Sequence, residues 1–182
     1  MTARGPSPGW RAAYLVAALG VYVADQVTKA WAVRRLRFGE EVRLVDGLLH
    51  FGYAENPGIA FGQLQQGGEF GRWMLSAVAA VAAVGVLVYF FRAKDAAART
   101  LGACALLLAG VAGNLTDRVR LGYVVDFIEL HLGSFQWPTF NVADAAICVG
   151  AGLLALDIIR DGQREKEEKR RGERVEAEGP TS

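Results

Sequence analysis

The sequence predicts an all-α polytopic membrane protein with four transmembrane helices and a small extracytoplasmic antiparallel β-sheet. The chain of 182 residues is 52% hydrophobic with a mean hydropathy of +0.21, which is high for a water-soluble protein of this size. Four segments each offer roughly the 20 mostly apolar residues that a helix needs to cross a bilayer. An Asp-Gly pair, Asp46-Gly47, lies between two segments of strand type, and this pattern is typical of a β-hairpin.

The charge balance and the cysteines exclude several classes of partner. The formal net charge is +1, which gives no basis for nucleic-acid binding. Both cysteines, Cys104 and Cys148, lie inside apolar runs and are interpreted as small buried residues. The sequence has no cysteine and histidine spacing typical of a zinc site.

The first apolar segment runs from Trp10 to Val33, after a Pro/Gly-rich tail at residues 1–9. It is longer than the core of a signal peptide and has no convincing small-x-small cleavage site, so we expect an uncleaved anchor. Asp25 and Lys29 stand four residues apart near its end, and they share a helix face on which they can pair. An ordinary surface ion pair is the competing interpretation.

A long polar connection, residues 34–71, follows the first segment and must have structure of its own. Apolar and polar residues alternate on both sides of Asp46-Gly47, which predicts an external β-hairpin within residues 38–62. Asn56-Pro57-Gly58 predicts a turn with proline and glycine at its two central positions. The apolar residues 59–61 would then lie on or beside the membrane.

The second and third apolar segments are Trp73–Phe91 and Ala96–Leu115. The second holds no charged residue, which argues against a soluble helical bundle. Three polar residues, Asn114, Asp117 and Arg118, follow the spacing i, i+3, i+4 at the end of the third segment. They share one face if that helix continues.

A short segment of β type, residues 123–128, carries Asp126, and residues 129–140 are predicted to form an irregular loop. The fourth apolar segment is Phe140–Ile159. Asn141 is a good helix cap, and it places Asp144 in the first turn of that helix. Residues 161–182 are charged and form a solvated tail.

Four spans would place both termini on one side of the membrane. Lysines and arginines are in excess on that side, so we expect cytoplasmic termini and an extracytoplasmic sheet. The predicted organisation is a cytoplasmic tail at residues 1–9, a membrane domain at 10–160 and a charged cytoplasmic tail at 161–182.

Asp126 and Asp144 are the candidate catalytic residues. Each is flanked by apolar residues with no cation nearby in sequence. Burial raises the pKa of a carboxyl group, and two carboxyls that share a site can hold one proton between them. This is the arrangement of aspartic proteases. The competing interpretation is that both are ordinary carboxylates at a helix end and in a loop.

Other chemistries have less support. The sequence has no HExxH and no GxSxG motif, and His50 and His131 are interpreted as isolated loop residues. A small ion- or proton-coupled membrane transporter is the main alternative, since embedded acids can bind protons or cations. A non-catalytic membrane assembly factor is the third hypothesis, and it predicts that both aspartates can be replaced by asparagine.

Five short motifs between Asp25 and Ala145 together resemble the bacterial lipoprotein signal peptidases, also called signal peptidase II. In chain order they are DQVTK, NPGIAF, GNLTDR, VVDF and FNVADA. Each motif alone is weak, but five in this order and in these membrane positions are specific. The resemblance does not cover the tail after Asp161.

The resemblance implies a membrane aspartyl endopeptidase of the bacterial cytoplasmic membrane that uses no metal and no cofactor. Such an enzyme cuts the signal peptide from prolipoproteins just before a cysteine that bears a diacylglyceryl group. Its implied partners are those substrates, membrane lipid and globomycin-type inhibitors. The catalytic pair falls on Asp126 and Asp144. The surrounding polar site falls on Asp25, Lys29, Asn56, Gly110, Asn114, Asp117, Arg118 and Asn141.

Some of these residues can be given expected roles. Asn114 and Asn141 are neutral amides that can orient the two carboxyl groups without neutralising them. Arg118 is expected to balance negative charge together with Asp117.

Two further roles concern the periphery of the site. Asp25 and Lys29 are expected to tie the first helix to it. Asn56 and the loop after it are expected to contact the substrate backbone or to cover the site.

Overall fold

The computed structural model describes residues 8–58, 68–93 and 97–177. It is built mainly of helices and carries a small antiparallel sheet, which confirms that part of the predicted fold class. The helices are α1 (Pro8–Leu36), α2 (Gly68–Arg92), α3 (Ala98–Arg120) and α4 (Val142–Ala177). The strands are β1 (Val42–Val45), β2 (Leu49–Asn56), β3 (Val124–Leu132) and β4 (Phe135–Gln136).

Three helices of the described part, α2, α3 and α4, are long and apolar enough to cross a membrane. The sequence predicted four such helices, and α1 is not among the three. It has the length, with 29 residues. Its composition is less apolar because Arg11 lies near one end and Asp25 and Lys29 near the other.

The helix α3 is the centre of the bundle and packs against α1, α2 and α4. Its buried positions include small residues, which let neighbouring helix backbones approach closely. Gly110 shows how close this approach is. A β-carbon at Gly110 would collide with the carbonyl oxygen of Ala143 and lie 2.7 Å from Ile147 Cγ1. The α3–α4 contact therefore needs glycine at this position.

Two polar contacts hold the end of the bundle that lies away from the sheet. The Arg11 guanidinium donates to backbone carbonyls at the end of α2, including that of Ala93 at 2.6 Å. Arg99 of α3 forms an ion pair with Asp157 of α4, and Thr100 Oγ1 donates to Asp157 Oδ2 at 2.8 Å. Asp157 is thus a paired structural carboxylate.

The four strands form one antiparallel sheet in the order β1-β2-β3-β4. The hairpin predicted at Asp46-Gly47 is confirmed. Gly47 has a positive φ of +70°, and the N–H of Leu48 donates to the carbonyl of Val45 at 3.0 Å. The strand β2 then pairs with β3, and Ala54 stands opposite Asp126.

The prediction of an irregular loop over residues 129–140 is wrong. The strand β3 continues to Leu132, turns at Gly133 with a φ of +65°, and returns as β4. The cause is tertiary, because β2 offers backbone partners as far along β3 as Leu130. His50 and His131 therefore lie in strands β2 and β3 and not in loops, contrary to the prediction.

The sheet is anchored on the end of α1. Ala32 and Leu36 of α1 form a buried apolar cluster with Val125 and Phe127 of β3. Trp31 packs edge-on against aromatic rings of β2 and β3 at centroid distances of 5.5 and 6.3 Å. These contacts fix β3, and hence Asp126, relative to α1.

The helix α4 begins directly after Asn141, as predicted, and it continues without a break across residues 160 and 161 to Ala177. The predicted charged tail is therefore a helical extension of α4 over most of its length. Residues 59–61, which were expected beside the membrane, lie outside the described residues, as do residues 1–7 of the predicted N-terminal tail.

Candidate active site

A buried lysine lies at the centre of the polar cluster between α1 and α3. Lys29 Nζ lies 3.0 Å from Asp25 Oδ2 and 2.9 Å from Asp117 Oδ2. It also donates to Asn114 Oδ1 at 2.9 Å. Its three N–H donors thus have three oxygen acceptors, which a buried ammonium group needs to offset the loss of its hydration. The pairing of Asp25 with Lys29, expected from their spacing, is present.

Asp25 also connects α1 to the start of α4. Its Oδ1 accepts the backbone N–H of Ala143 at 2.9 Å, one of the free donors of the first turn of α4. A β-carbon at Gly113 would lie 2.5 Å from Asp25 Oδ2, so the absence of a side chain there makes room for the carboxylate. The helices α1, α3 and α4 therefore meet at Asp25.

Asp126 is held by two side-chain amides. Its Oδ2 accepts Asn56 Nδ2 at 2.9 Å, and its Oδ1 accepts Asn141 Nδ2 at 2.7 Å. The residue is only 2% exposed. Burial raises the pKa of Asp126 to about 6, and the charge of Asp144 also raises it, while the hydrogen bonds from Asn56 and Asn141 act in the opposite direction.

Asp144 lies in the first turn of α4 and is held by neutral donors as well. Its Oδ1 accepts Asn114 Nδ2 at 2.7 Å, and its Oδ2 accepts the backbone N–H of Asn141 at 3.2 Å. In return, Asn141 Oδ1 accepts the backbone N–H of Asp144 at 2.9 Å. This reciprocal capping arrangement both starts α4 and fixes the Asp144 carboxyl group.

Asn141 joins the two carboxyl groups into one network. It is fully buried, and its Nδ2 donates to Asp126 Oδ1 and also to Asn114 Oδ1 at 3.1 Å. Asn114 in turn holds Asp144. In residues 8–58, 68–93 and 97–177, no ion pair reaches Asp126 or Asp144. The pair therefore stands beside a charged cluster without being part of its ion pairs.

Arg118 forms no ion pair with Asp117 among the described residues, although its positive charge interacts with the charges of Asp144, Asp126 and Asp117. The Asp117 carboxylate contacts Lys29 at 2.9 Å and the backbone N–H of Val125 at 3.1 Å. Adjacent residues of a helix point in different directions, so the two side chains diverge. Arg118 Nε is buried without a hydrogen-bond partner in the described part of the chain, and the guanidinium lies near Gly58, in the turn after β2.

Two other predicted residues make contacts that the sequence did not specify. Asn56 holds Asp126, and its Oδ1 also accepts the backbone N–H of Gly58 at 2.8 Å, so it both orients a carboxyl group and shapes the turn. The NPGIAF loop that was expected to contact the substrate or cover the site is described only as far as Gly58, and residues 59–61 lie outside the described residues. Gly110 lies in the α3–α4 contact and not against the carboxyl groups.

Sequence reasoning missed Gln26 and Gly113. Gln26 Nε2 donates to Asp25 Oδ2 at 3.1 Å and to both Asp117 Oδ1 and the carbonyl of Gly113 at 3.3 Å. Both residues belong to quoted motifs, Gln26 to DQVTK and Gly113 to GNLTDR. The signal was therefore present, but a residue next to Asp25 is not expected to share its helix face.

The site combines a charged frame, in which one ammonium group lies between two carboxylates, with a carboxyl pair that shares neutral donors. Such a pair can hold one proton between two carboxyl groups, as acid–base catalysis by two aspartates requires. The described residues that could together hold a metal ion, His50, Glu129 and His131, lie on the sheet and do not include either carboxyl group of the pair.

Residues 17–160 match the family model described as Signal peptidase (SPase) II. Three similar proteins carry the name Lipoprotein signal peptidase. They come from Geobacter metallireducens (38% identity, 88% of this chain, 98% of the relative), Geobacter sulfurreducens (41%, 80% and 91%) and Syntrophotalea carbinolica (43%, 85% and 95%).

Two solved structures have a similar fold. Both are described as a bacterial membrane enzyme determined by the in meso method, one at 1.9 Å and one at 2.3 Å resolution. The first has a TM-score of 0.76 at 25% identity and covers 88% of this chain and 99% of its own. The second has a TM-score of 0.73 at 26% identity and covers 90% and 96%.

Proposed function

Since this chain belongs to the signal peptidase II family, we propose that Asp126 and Asp144 are its catalytic residues. The protein is an aspartic-type signal peptidase of a bacterial membrane, and it removes signal peptides from prolipoproteins. The alternative of a membrane transporter is not supported by the comparisons. The observation that carries the catalytic assignment is a carboxyl pair joined through neutral amides and kept apart from the ion pairs beside it.

In the proposed mechanism, the pair carries one proton at rest. We assign that proton to Asp126, because burial raises its pKa to about 6, so the singly protonated pair is lost as the pH rises above about 6. Asp144 takes a proton from water as the water oxygen attacks the scissile carbonyl carbon, and Asp126 gives its proton to the carbonyl oxygen. Collapse of the tetrahedral intermediate returns a proton to Asp126, while Asp144 protonates the departing amine.

The surrounding residues act as positioning groups in this proposal. Asn56, Asn114 and Asn141 aim the carboxyl oxygens by donating N–H groups that leave the total charge of the pair unchanged. The cluster around Lys29 keeps α1, α3 and α4 in register. Arg118, whose Nε has no partner among the described residues, can donate to a substrate carbonyl that arrives near Gly58.

We place four transmembrane helices in the bilayer, with α1 as the fourth and residues 10–160 as the protease domain. Support comes from α1, which packs along α3, itself apolar enough to span. The sheet and the carboxyl pair then lie on the extracytoplasmic side. The arginine-rich ends of the chain, including the charged segment 161–182, lie in the cytoplasm.

The substrate in this proposal is a prolipoprotein whose cysteine already carries a diacylglyceryl group, and cleavage occurs just before that cysteine. A carboxyl pair at the end of the membrane helices can act on a peptide bond while the acyl chains stay in the bilayer. Membrane lipid is then a natural partner, and globomycin-type inhibitors should compete for the site. The proposed reaction uses no cofactor and no nucleic acid.

The test is cleavage of a diacylglyceryl-modified prolipoprotein by the purified protein in detergent. Asp126→Asn and Asp144→Asn should each lower kcat by roughly 10²–10⁴-fold, the usual contribution of one acid–base group. The matched control is Asp46→Asn in the exposed β1–β2 turn, where asparagine is equally suited, so its rate should not change.

Near-normal cleavage by a folded Asp126→Asn or Asp144→Asn variant would remove that residue from the catalytic pair. Cleavage at another bond, or of the unmodified precursor at the same rate, would contradict the substrate assignment and leave the pair intact.

A further inference from the structure

Three potential metal ligands collect on the sheet, outside the carboxyl pair and the charged cluster around Lys29. His50 of β2 stands opposite Glu129 of β3 in the backbone pairing, and His131 lies two residues further along β3. Residues that are paired across antiparallel strands, and residues two apart on one strand, project from the same face of a sheet. The two imidazole rings have a centroid distance of 4.7 Å.

The ligand atoms of this group are close together and lack other partners. One nitrogen from each histidine and one carboxylate oxygen of Glu129 all lie within 4.8 Å of one another. His50 Nε2 and His131 Nε2 are buried and have no hydrogen-bond partner among the described residues. His131 Nε2 lies 3.6 Å from Glu129 Oε2, which is too far for a hydrogen bond. Buried polar atoms without partners are costly, and a bound cation would satisfy both nitrogens.

The surroundings of His50 and Glu129 suit metal ligands. Glu41 Oε1 lies 2.7 Å from His50 Nδ1, so this carboxylate keeps the proton on Nδ1 and leaves the Nε2 lone pair free. Gly52 provides space for the third ligand, because a β-carbon there would meet the Glu129 carboxylate, whose Cδ would be 3.0 Å away. A carboxylate behind a ligating histidine is the usual support of a zinc site.

We propose that His50, Glu129 and His131 form a Zn²⁺ site that clamps β2 to β3. Two imidazole nitrogens and one carboxylate oxygen make a three-ligand set typical of zinc, with water at the fourth position. Tetrahedral coordination at about 2.0–2.1 Å places ligand atoms roughly 3.4 Å from one another, so these atoms, now within 4.8 Å, would move closer together on binding. The site is separate from peptide cleavage. Its effect is to stiffen the strand that carries Asp126.

The experiment is a calorimetric titration of ZnCl₂ into the full, metal-stripped chain in detergent, after removal of any histidine tag. Wild type should bind one equivalent of Zn²⁺, and its thermal unfolding midpoint should rise with zinc concentration. His50→Gln, His131→Gln and Glu129→Gln should each weaken binding by more than tenfold. Glu55→Gln is the matched control, because Glu55 is an exposed carboxylate of β2 outside this group, and its affinity should equal that of wild type.

A second variant keeps the test decisive if a ligand variant does not fold. Glu41→Gln retains all three ligands but loses the charge behind His50, so the affinity for zinc should fall by about 10–100-fold. The proposal is overturned if wild type shows no saturable zinc binding. It is equally overturned if His50→Gln and His131→Gln bind zinc as tightly as wild type, because the ion then sits elsewhere.

Discussion

The four aspartates of the candidate site fall into two kinds according to the donors that hold their carboxyl groups. Asp25 and Asp117 contact the ammonium group of Lys29. Asp126 and Asp144 accept hydrogen bonds from neutral amides. A cation at close range stabilises only the ionised form of a carboxyl group, whereas an amide permits the proton to come and go with a smaller penalty. The hydrogen-bond donors therefore distinguish the structural aspartates, Asp25 and Asp117, from the proposed catalytic pair.

The first prediction concerns pH. The pKa of Asp126 is raised to about 6, and the pair needs one proton, so kcat/KM should fall as the pH rises above about 6. The fall should approach tenfold per pH unit once the proton is lost. The measurement is the rate of prolipoprotein cleavage from pH 5 to 9 in detergent. A rate that stays level from pH 6 to 9 would contradict a proton held at Asp126.

The second prediction concerns Asn56. Its hydrogen bond lowers the pKa of Asp126, so Asn56→Ala should raise that pKa and move the alkaline limb of the rate profile to higher pH. The maximal rate should also drop, because the carboxyl group loses one of its two amide donors. Gln136→Ala removes an exposed amide of β4 as a control and should leave the limb in place. An unshifted limb in Asn56→Ala would show that this amide does not tune the pair.

The third prediction concerns Lys29. Lys29→Met leaves Asp25 and Asp117 buried beside each other without a cation, which should cost about 3–5 kcal/mol of stability. The control is Arg37→Gln, which breaks an exposed ion pair with Glu55 at 3.7 Å and should cost less than about 1 kcal/mol. The measurement is denaturant unfolding in detergent. Equal losses in the two variants would contradict the central role of this lysine.

The sequence did not determine which polar side chains of the site pair with one another across different helices. The motifs located almost every polar residue of the site, and the spacing predicted the pair of Asp25 with Lys29. They did not predict that Asp117 pairs with Lys29 of another helix. Such a contact depends on how two helices are rotated against each other, and the sequence of either helix alone does not specify that rotation.

At the scale of secondary-structure elements, the sequence predicted a hairpin correctly where the turn residues themselves determine the backbone conformation. Asp46-Gly47 predicted the β1–β2 hairpin because glycine supplies the positive φ that the turn requires. The β3–β4 hairpin was missed, although residues 129–132 alternate in polarity. That part of β3 is ordered by pairing with β2, about 80 residues earlier in the chain, and such a long-range contact leaves little local signal.

The fourth prediction concerns the contact between α3 and α4. Gly110→Ala should force the helices apart, because the new methyl group would meet the backbone at Ala143 and the side chain of Ile147. We expect a loss of about 1–3 kcal/mol and slower cleavage, since α4 carries Asp144. Gly85→Ala in α2 is the control, because a β-carbon there meets nothing within 4 Å. An unchanged unfolding midpoint and cleavage rate in Gly110→Ala would contradict the tight contact.

At the scale of the whole molecule, the proposed orientation can be tested by cysteine labelling. The starting chain has Cys104 and Cys148 replaced by alanine. A single new cysteine is then placed at Ser134 in the β3–β4 turn or at Gly172 in the charged end of α4, and both of these positions are exposed. A membrane-impermeant maleimide should label Ser134→Cys in intact spheroplasts and Gly172→Cys only after permeabilisation. The opposite pattern would invert the orientation.

The helix α4 has a mechanical consequence for the site at its beginning. It is 36 residues long, or about 54 Å at 1.5 Å per residue, and the ion pair between Arg99 and Asp157 ties it to α3 part of the way along. The 20 residues of α4 beyond Asp157 extend about 30 Å past this ion pair. The ion pair between Arg99 and Asp157 resists bending of the charged end of α4. Little of that bending therefore reaches Asp144, which lies about 20 Å from Asp157 along the same helix. The end of α4 that carries Asp144 is thereby shielded from forces that act on the charged end of the helix.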